Sequence, residues 1–229
     1  MEYEAELINA VDVTSVCKSF RFSRPADFEF AAGQFFYITL GKNMVHHFSF
    51  SDSPTVKDHV EFTTKMTGSP FKNALNMLRP KDKVKIRGPY GEFTLNPAFK
   101  KIAFLSGGIG ITPIRSICKY ATEKKVDCAI TLLYGNNSET DIAFRKDFDE
   151  MASKNKKLKV AHVLSNPSSE WTGYKGYITK DVVAKEIPDY SERIFYICGP
   201  PGMVLAMNKI LDELSVESKN IKLENFVGY

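Results

Sequence analysis

The pattern of apolar and polar residues differs between the first and second halves of this 229-residue chain. Up to about residue 98, short runs rich in Phe, Tyr, Val and Thr are separated by Gly and Pro. This pattern predicts β-strands at 15–22, 34–40, 46–51, 59–65 and 83–87. The stretch 69–78 has apolar residues at helical spacing and predicts one short helix. Strands at this density are typical of a small antiparallel barrel.

From residue 101 onward, near-continuous apolar runs alternate with amphipathic stretches. The runs predict strands at 102–105, 129–134, 159–164, 193–198 and 221–224, and the stretches predict helices at 113–124, 141–154, 179–186 and 201–214. Alternation of this kind indicates a parallel sheet covered on both faces. We therefore predict two domains, an antiparallel β-barrel at residues 1–97 and an α/β parallel-sheet nucleotide-binding domain at residues 98–229.

Composition excludes several classes of protein. No apolar run approaches the roughly 20 residues that span a bilayer, so we expect no membrane span. The N-terminus is acidic where a signal peptide would be basic, which favours a cytoplasmic location. The net charge of +4 is spread over both halves and does not indicate nucleic-acid binding. The four cysteines are scattered, which argues against a zinc site or an iron–sulfur cluster, and we expect no metal.

Two glycine-rich turns in the second half indicate phosphate binding. The first strand runs into Ser106-Gly107-Gly108-Ile109-Gly110-Ile111-Thr112-Pro113, and a later strand runs into Cys198-Gly199-Pro200-Pro201-Gly202-Met203. Each turn leads into a helix, whose first N–H groups attract an anion, and glycine lets the backbone approach it closely. The carboxyl ends of parallel strands meet at one edge of a sheet, so both turns are expected to serve one site.

One charge pattern allows two interpretations. Lys81, Lys83, Lys85 and Arg87 alternate with other residues, which places four cations on one face of a strand. This face is either a solvated surface or a docking surface for an acidic partner.

Taken in order, the motifs resemble those of the ferredoxin–NADP(+) reductase superfamily of flavin-dependent reductases. They are the strand His46-His47-Phe48-Ser49, the turn Gly88-Pro89-Tyr90-Gly91-Glu92-Phe93, the Gly-Gly-Ile-Gly-Ile-Thr-Pro loop and the segment Cys198-Gly199-Pro200-Pro201. The resemblance covers nearly the whole chain, from Gly33 to Phe226. It implies a barrel that binds FAD, rather than FMN, and an α/β domain that binds NADH or NADPH.

For the flavin, the resemblance implies an Arg-x-Tyr/Phe-Ser/Thr strand with the aromatic ring on the isoalloxazine. Phe48 and Ser49 match this strand, whereas His46 stands in place of the arginine that binds the flavin phosphates. Because an imidazole lacks the guanidinium fork, we expect weaker flavin binding than is typical of the family. The implied flavin-binding residues are His46, His47, Phe48, Ser49, Thr63, Thr64, Lys65, Gly68, Ser69, Pro70, Phe71, Lys72, Phe226 and Tyr229.

For the nicotinamide nucleotide, the resemblance implies binding at the two glycine-rich turns and the strand ends beside them. The implied residues are Gly107, Gly108, Gly110, Ile111, Thr112, Pro113, Tyr134, Gly135, Asn136, Ser165, Cys198, Gly199, Pro200 and Met203. Three catalytic residues carry over: Ser49 hydrogen-bonds flavin N5, Glu224 orders that serine and relays a proton, and Cys198 lies beside the nicotinamide. Phe226 or Tyr229 covers the flavin, and spacing favours Phe226.

The pair Ser165-Asn166 lacks the arginine that NADPH-specific relatives tend to have, which favours NADH. The resemblance implies a monomeric reductase that passes electrons from NAD(P)H through FAD to a separate carrier, such as a ferredoxin, a flavodoxin or an oxygenase component. Two alternatives stay open: a flavin reductase that releases reduced flavin, and a nucleotide-binding module that has lost the flavin.

Overall fold

The computed structural model describes residues 1–41 and 44–226. Its strands are β1 Glu2–Asp12, β2 Cys17–Ser23, β3 Phe35–Leu40, β4 Met44–Ser49, β5 His59–Lys65, β6 Lys83–Tyr90, β7 Lys101–Gly107, β8 Ala129–Asn136, β9 Leu158–Leu164, β10 Tyr174–Lys175, β11 Ile194–Gly199 and β12 Ile221–Asn225. Its helices are α1 Pro70–Asn76, α2 Ile111–Glu123, α3 Arg145–Lys154, α4 Lys180–Glu186 and α5 Pro201–Glu213. None of the helices in the described ranges has the length and apolar character needed to span a bilayer.

The chain divides into two compact units, each with its own sheet. Unit 1 comprises Met1–Leu95 together with Thr112–Tyr120, which is most of α2. Unit 2 comprises Asn96–Ile111 and the chain from Ala121 onward. Helix α2 therefore begins in unit 2 and contributes most of its length to unit 1.

Unit 1 is built on an antiparallel sheet of six strands in the order β4-β3-β6-β1-β2-β5. A bridge between Phe50 and Phe62 joins the segment after β4 to β5, so the two ends of the sheet meet and the sheet curls into a barrel. Alternation along β3 turns Phe36 and Ile38 inward, where both are fully buried. The centroids of the Phe36 and Phe50 rings lie 4.6 Å apart. This aromatic core confirms the predicted barrel.

Strand β1 is not among the strands predicted from the sequence, because its glutamates alternate with apolar residues in a pattern that looks polar overall. In the structure β1 pairs with the cationic strand β6, and the opposite charges face each other. Lys83 binds Glu4 at 2.6 Å and Lys85 binds Glu2 at 2.8 Å. These exposed pairs engage two of the four cations of this face, and its role as a docking surface for an acidic partner stays a prediction.

A buried ion-pair network holds the first half of α2 in unit 1. Arg115 donates to Glu61 at 3.0 Å and to the carbonyl of Ser51 at 2.5 Å, while Lys119 donates to Asp52 at 2.5 Å. Together with His59, the two carboxylates have the spacing of a metal site. The hydrogen bond from His59, the charge of Arg115 and the hydrogen bond from Lys119 hold the pKa of Asp52 well below its usual value, and Arg115 also pairs with Glu61. The arrangement therefore functions as an ion-pair network.

Unit 2 is built on a parallel sheet of six strands in the order β10-β9-β8-β7-β11-β12. Strands β7, β8 and β11 are largely buried, as their continuous apolar runs predict, whereas β9 is buried mainly at its two ends. One face packs against α4 and α5 in a cluster that includes Leu105, Leu133 and Ile197. Helix α3 begins at Arg145, four residues later than predicted, because a short 3-10 turn occupies Glu139–Asp141.

Candidate functional site

Three glycines lie side by side where the central strands of unit 2 end. Gly107 of β7 pairs in register with Gly135 of β8, and Gly199 of β11 lies on the other side of Gly107. We call Gly135, Gly107 and Gly199 the glycine row. Because none of the three has a side chain, the row forms a flat backbone surface at the carboxyl edge of the sheet, where open α/β sheets bind ligands.

A pocket of about 430 Å³ opens above the glycine row, entirely within unit 2. It is lined by Gly107, Gly108, Gly135, Asn136, Val163, Ser165, Gly176, Tyr177, Ile178, Pro200, Gly202, Met203, Ala206 and Met207. The buried Nδ2 of Asn136 has no hydrogen-bond acceptor in the described part of the chain. A buried donor without a partner is costly, so this one fits a polar ligand group in the pocket.

The structure brings half of the predicted nucleotide residues to this pocket: Gly107, Gly108, Gly135, Asn136, Ser165, Pro200 and Met203. The others lie behind it. Tyr134 donates its hydroxyl to the carbonyl of Gly108 at 3.0 Å and so holds the glycine turn in place. Gly110 packs on the backbone of Cys198 and Gly199. Ile111, Thr112 and Pro113 are buried in the first turn of α2.

Sequence reasoning missed half of the pocket lining. The missed residues are Val163, Gly176, Tyr177, Ile178, Gly202, Ala206 and Met207. Tyr177 is 78% exposed, which leaves its ring free to cover a ligand at the pocket entrance. The signal that could have found it is the aromatic residue directly after Gly176, a glycine with a φ of +95° in the loop after β10. Loops at this edge of the sheet are where binding residues concentrate.

The other face of the same sheet carries a row of polar and aromatic side chains. In register across the strands are His162, Tyr134, Ser106, Cys198 and Glu224, which we call the polar row. The Sγ of Cys198 lies 4.0 Å from Oε2 of Glu224. The hydroxyl of Ser106 is completely buried and has no hydrogen-bond partner among residues 1–41 and 44–226. Ser106 was not predicted as a site residue, because the sequence placed it at the start of the glycine-rich turn, whereas β7 continues through it in the structure.

Burial changes the acidity of the polar row. It raises the pKa of Glu224 to about 7, so that this carboxyl gains and loses a proton near neutral pH. Burial, with the nearby Glu224 carboxylate as a second cause, raises the pKa of the Cys198 thiol well above its usual value. Cys198 therefore stays a neutral thiol, and Glu224 is the group in this pair that can exchange a proton.

The last described residue continues the chain beyond β12. Phe226 donates its backbone N–H to the carbonyl of Gly199 at 3.1 Å, which ties the C-terminal segment to the glycine row. Tyr229, the other residue predicted to cover the flavin, lies outside the described residues.

In unit 1, a groove of about 300 Å³ is lined by Met44, Val45, His46, Ser69, Pro70 and Phe71. Four of these residues are predicted flavin-binding residues. The ring of His46 lies 4.6 Å from that of Phe71. Gly68 precedes the groove with a φ of +74°, and a Cβ at this position would meet open space. The groove therefore offers an apolar wall and open backbone, which fit a flat aromatic ligand such as a flavin.

The groove has little positive charge. Burial, followed by the neighbouring His47 and Lys72, lowers the pKa of His46, so its imidazole is neutral at pH 7. The side chain of Lys72 is only 3% exposed, and burial lowers the pKa of its ammonium group. No arginine lines the groove among the described residues. The residues thus fit the flavin by shape, but the guanidinium fork of the family is absent.

Several predicted flavin residues point elsewhere. Phe48 is 3% exposed and stacks on Phe62 in the barrel core, with ring centroids 4.3 Å apart. His47 faces the opposite side of β4, where its ring lies 5.5 Å from that of Phe35. Thr63 and Thr64 are buried, and the Thr63 hydroxyl donates to that of Ser51 at 2.9 Å. Lys65 is exposed at the end of β5, and Ser49 is 5% exposed.

Comparison with known proteins agrees with the two units. The family model described as the oxidoreductase FAD-binding domain matches residues 4–95, and the oxidoreductase NAD-binding domain matches residues 104–209. The cytochrome b5 reductase domain of Ulva prolifera nitrate reductase has the same fold, with a TM-score of 0.85. At 22% identity the match covers 98% of this chain and 97% of that one.

Two curated relatives are similar over part of the chain. NADH-cytochrome b5 reductase 1 of Dictyostelium discoideum is 36% identical over 61% of this chain and 50% of its own length. One component of the Na(+)-translocating NADH-quinone reductase of Yersinia pestis is 35% identical over 66% of this chain and 39% of its own length. The chain thus spans half or less of these relatives. The two domain matches, in order along one chain that carries the predicted motifs, show that it belongs to the ferredoxin–NADP(+) reductase superfamily.

Proposed function

We propose that this chain is a flavin-dependent reductase that oxidises NADH, in preference to NADPH, and passes the electrons through FAD to a separate acceptor. The observation that carries the proposal is the unit 2 pocket, where a glycine row, an unpartnered Asn136 donor and the N-terminus of α5 meet. A pyrophosphate fits such a set of donors. Bound FAD accepts a hydride and gives up electrons singly, which links a two-electron donor to one-electron carriers.

The proposed roles of the chain's residues follow from their surroundings. Ser49, almost fully buried at the end of β4, supplies a hydroxyl for a flavin edge. Glu224 holds or releases a proton near pH 7, and the neutral thiol of Cys198 shapes the surface next to it. Positioning of the two ligands, rather than bond-making by the protein, is then the main contribution to the rate.

The preference for NADH rests on the charges around the strand ends. Ser165 lines the pocket, and no lysine or arginine does so within the described ranges. Glu139 accepts hydrogen bonds from Ser168, which lower its pKa and keep it ionised. Arg145 lies over the Trp171 ring at 5.4 Å. An ionised acid in this region disfavours the extra 2′-phosphate of NADPH.

Three lysines that are close together in the sequence do not line the pocket. Lys154 binds Glu150, Lys157 binds Asp127, and Lys159 binds Glu186. They lie at the end of α3 and the start of β9, whereas the pocket is lined by residues at the other end of β9. The preference for NADH is to be measured as a ratio of kcat/KM values.

The test is turnover by the purified full chain supplied with FAD, with ferricyanide as acceptor. We expect NADH oxidation that depends on FAD and a higher kcat/KM for NADH than for NADPH. The double variant Ser165→Arg/Asn166→Arg should raise kcat/KM for NADPH and leave the rate with saturating NADH nearly unchanged. No FAD-dependent oxidation of either nucleotide would contradict the proposal, and a higher kcat/KM for NADPH would contradict only the preference.

A ferredoxin, a flavodoxin, an oxygenase component or, from the names of the relatives, a cytochrome b5 is the acceptor to compare. A second candidate function is reduction of free flavin, because no guanidinium group lines the described part of the groove and its histidine is neutral. Gel filtration separates the two. Flavin that stays with the protein through the column supports the electron-transfer reductase, and flavin that leaves in the reduced form supports the flavin reductase.

A further inference from the structure

The thioether of Met203 lies directly on the glycine row. A Cβ built on Gly107 would lie 2.3 Å from Sδ of Met203, and one built on Gly199 would lie 3.1 Å from the same atom. Carbon and sulfur atoms that are not bonded normally stay about 3.5 Å or more apart. Glycine at these two positions therefore leaves room for the side chain of Met203.

The third glycine of the row has different surroundings. A Cβ on Gly135 would lie 3.6 Å from the carbonyl of Ser106 and 3.7 Å from Cδ1 of Ile178, which are ordinary contacts. Alanine therefore fits the protein at Gly135 and extends only into the pocket. Met203 therefore covers two glycines of the row, Gly107 and Gly199, and leaves Gly135 open to a ligand.

Met203 also forms the boundary between the pocket and the core. It lines the pocket, and it packs against the apolar cluster formed by the sheet, α4 and α5. An unbranched thioether has several accessible rotamers, whereas the sheet backbone and the packed core on its other sides are rigid. If the space at Gly107 were filled, the Met203 side chain would move into the pocket.

We propose that glycine at position 107 leaves the space that the Met203 side chain occupies, which we call the seat of Met203. We further propose that Met203 in this seat is a positioning residue that sets the depth of the nucleotide pocket. The proposal rests on the proposed function only in taking a nicotinamide nucleotide as the occupant. It differs from the general expectation that glycine in such a turn makes room for the phosphate itself. In this chain the side-chain space at Gly107 is occupied by the protein.

The test is a double-mutant cycle with Gly107→Ala and Met203→Ala in the full chain. ADP-ribose, which lacks the nicotinamide ring, is the binding probe, and calorimetry gives its Kd. We expect Gly107→Ala to raise this Kd about tenfold in the native background and less than about twofold when Met203 is alanine. KM for NADH should follow the Kd, whereas kcat at saturating NADH should change much less.

Gly135→Ala is the matched control, because it lies in the same row and lines the same pocket without touching Met203. Its effect on the Kd should be the same with methionine or alanine at position 203. An equal loss of affinity from Gly107→Ala in both backgrounds would overturn the proposal. So would rescue of Gly135→Ala by Met203→Ala, because the effect would then be a general enlargement of the pocket.

Thermal unfolding keeps the test valid if a variant folds poorly or if the nucleotide does not bind. Met203→Ala should restore the Tm that Gly107→Ala lowers, and a double variant that folds worse than Met203→Ala alone contradicts the proposed seat. If the native chain binds no ADP-ribose while this coupling in Tm is present, the proposed function fails and the seat of Met203 stands. If binding is normal and the coupling is absent, the proposed function stands and the seat is wrong.

Discussion

The two candidate ligand-binding regions of this chain are lined by different parts of the protein. The pocket in unit 2 has a floor of backbone and of the Met203 side chain, because three adjacent strands carry glycine at the same level and Met203 covers two of these glycines. The groove in unit 1 is formed by side chains, chiefly His46 and Phe71 with the residues around them. Strand register fixes a backbone surface, whereas one or two substitutions alter a groove made of side chains. We therefore expect nucleotide binding to be inherent in the fold and flavin affinity to be adjustable.

The backbone floor predicts a severe effect of one small substitution. A Cβ at Gly110 would lie 2.5 Å from the carbonyl oxygen of Cys198 and 2.6 Å from Cα of Gly199, atoms that cannot move aside. Gly110→Ala should lower the free energy of unfolding of unit 2 by about 3 kcal/mol or more. The fluorescence of Trp171, the chain's single tryptophan, reports the unfolding of this unit. Gly202→Ala, which meets no atom within 4 Å, is the control and should be tolerated.

A substitution at Phe48 distinguishes a role of its ring in the barrel core from a role in flavin binding. Its ring stacks on Phe62 inside the barrel, so Phe48→Ala should lower the free energy of unfolding by about 3 kcal/mol through the cavity that it leaves. The effect should appear in urea unfolding of the chain without flavin. If Phe48→Ala leaves this stability unchanged and weakens only FAD binding, the ring serves the flavin rather than the core.

The raised pKa of Glu224 predicts effects of pH on stability and on rate. The folded pKa of about 7 lies above the usual value of 4.5, so folding favours the neutral carboxyl. The stability that this preference provides is present below pH 4.5 and is lost as the pH rises to about 7. At pH 8, Glu224→Gln should therefore increase the free energy of unfolding, by up to about 3 kcal/mol.

The kcat/KM for NADH should depend on the ionisation of the same carboxyl group, that of Glu224. In the native chain kcat/KM for NADH should change with one ionisation near pH 7, and Glu224→Gln should remove this step from the pH profile. Urea unfolding at pH 5 and pH 8 checks the first effect, and steady-state kinetics over the same range checks the second. A step near pH 7 that survives in Glu224→Gln belongs to another group.

The smallest expected effect concerns the side chains of the groove. His46→Arg should lower the Kd for FAD about tenfold, because a guanidinium binds phosphate through two hydrogen bonds and keeps its charge. His47→Arg is the matched control, since His47 lies next in the strand but packs near Phe35 on the other face. Fluorescence titration of FAD measures both. Equal tightening in the two variants would mean that net charge, and not the geometry of the groove, governs affinity.

Much of this architecture could be predicted from the sequence because the relevant patterns are local. Continuous apolar runs identified the parallel strands of unit 2, and runs rich in Phe, Tyr, Val and Thr between turn residues identified β3 and β5 of unit 1. Strand β1 was missed because the strand conformation of its glutamate-rich segment is explained only by pairing with the lysines of β6, which are about 80 residues away along the chain. Pairing between distant strands is not visible in a single local pattern.

The motifs of the site could be predicted from the sequence, but the surfaces that these motifs form in the folded protein could not. The glycines and Met203 were identified from two separate turns, yet the seat of Met203 on Gly107 depends on the register of β7 with β11. Period-two alternation shows that His46 and His47 face opposite sides, but not which side is the groove. Ser106 was not identified as a site residue because only the pairing of the strands places its hydroxyl between Tyr134 and Cys198.

Our central proposal is that one chain binds a nicotinamide nucleotide at a backbone pocket and reduces a flavin held by the other unit. Its most direct test is the visible spectrum of the full chain mixed with FAD under anaerobic conditions, recorded as NADH is added. We expect the flavin absorbance to bleach at one NADH per FAD, and we expect Gly110→Ala to abolish the bleaching. A flavin band that NADH leaves unchanged, in protein shown to bind both ligands, would contradict the proposal.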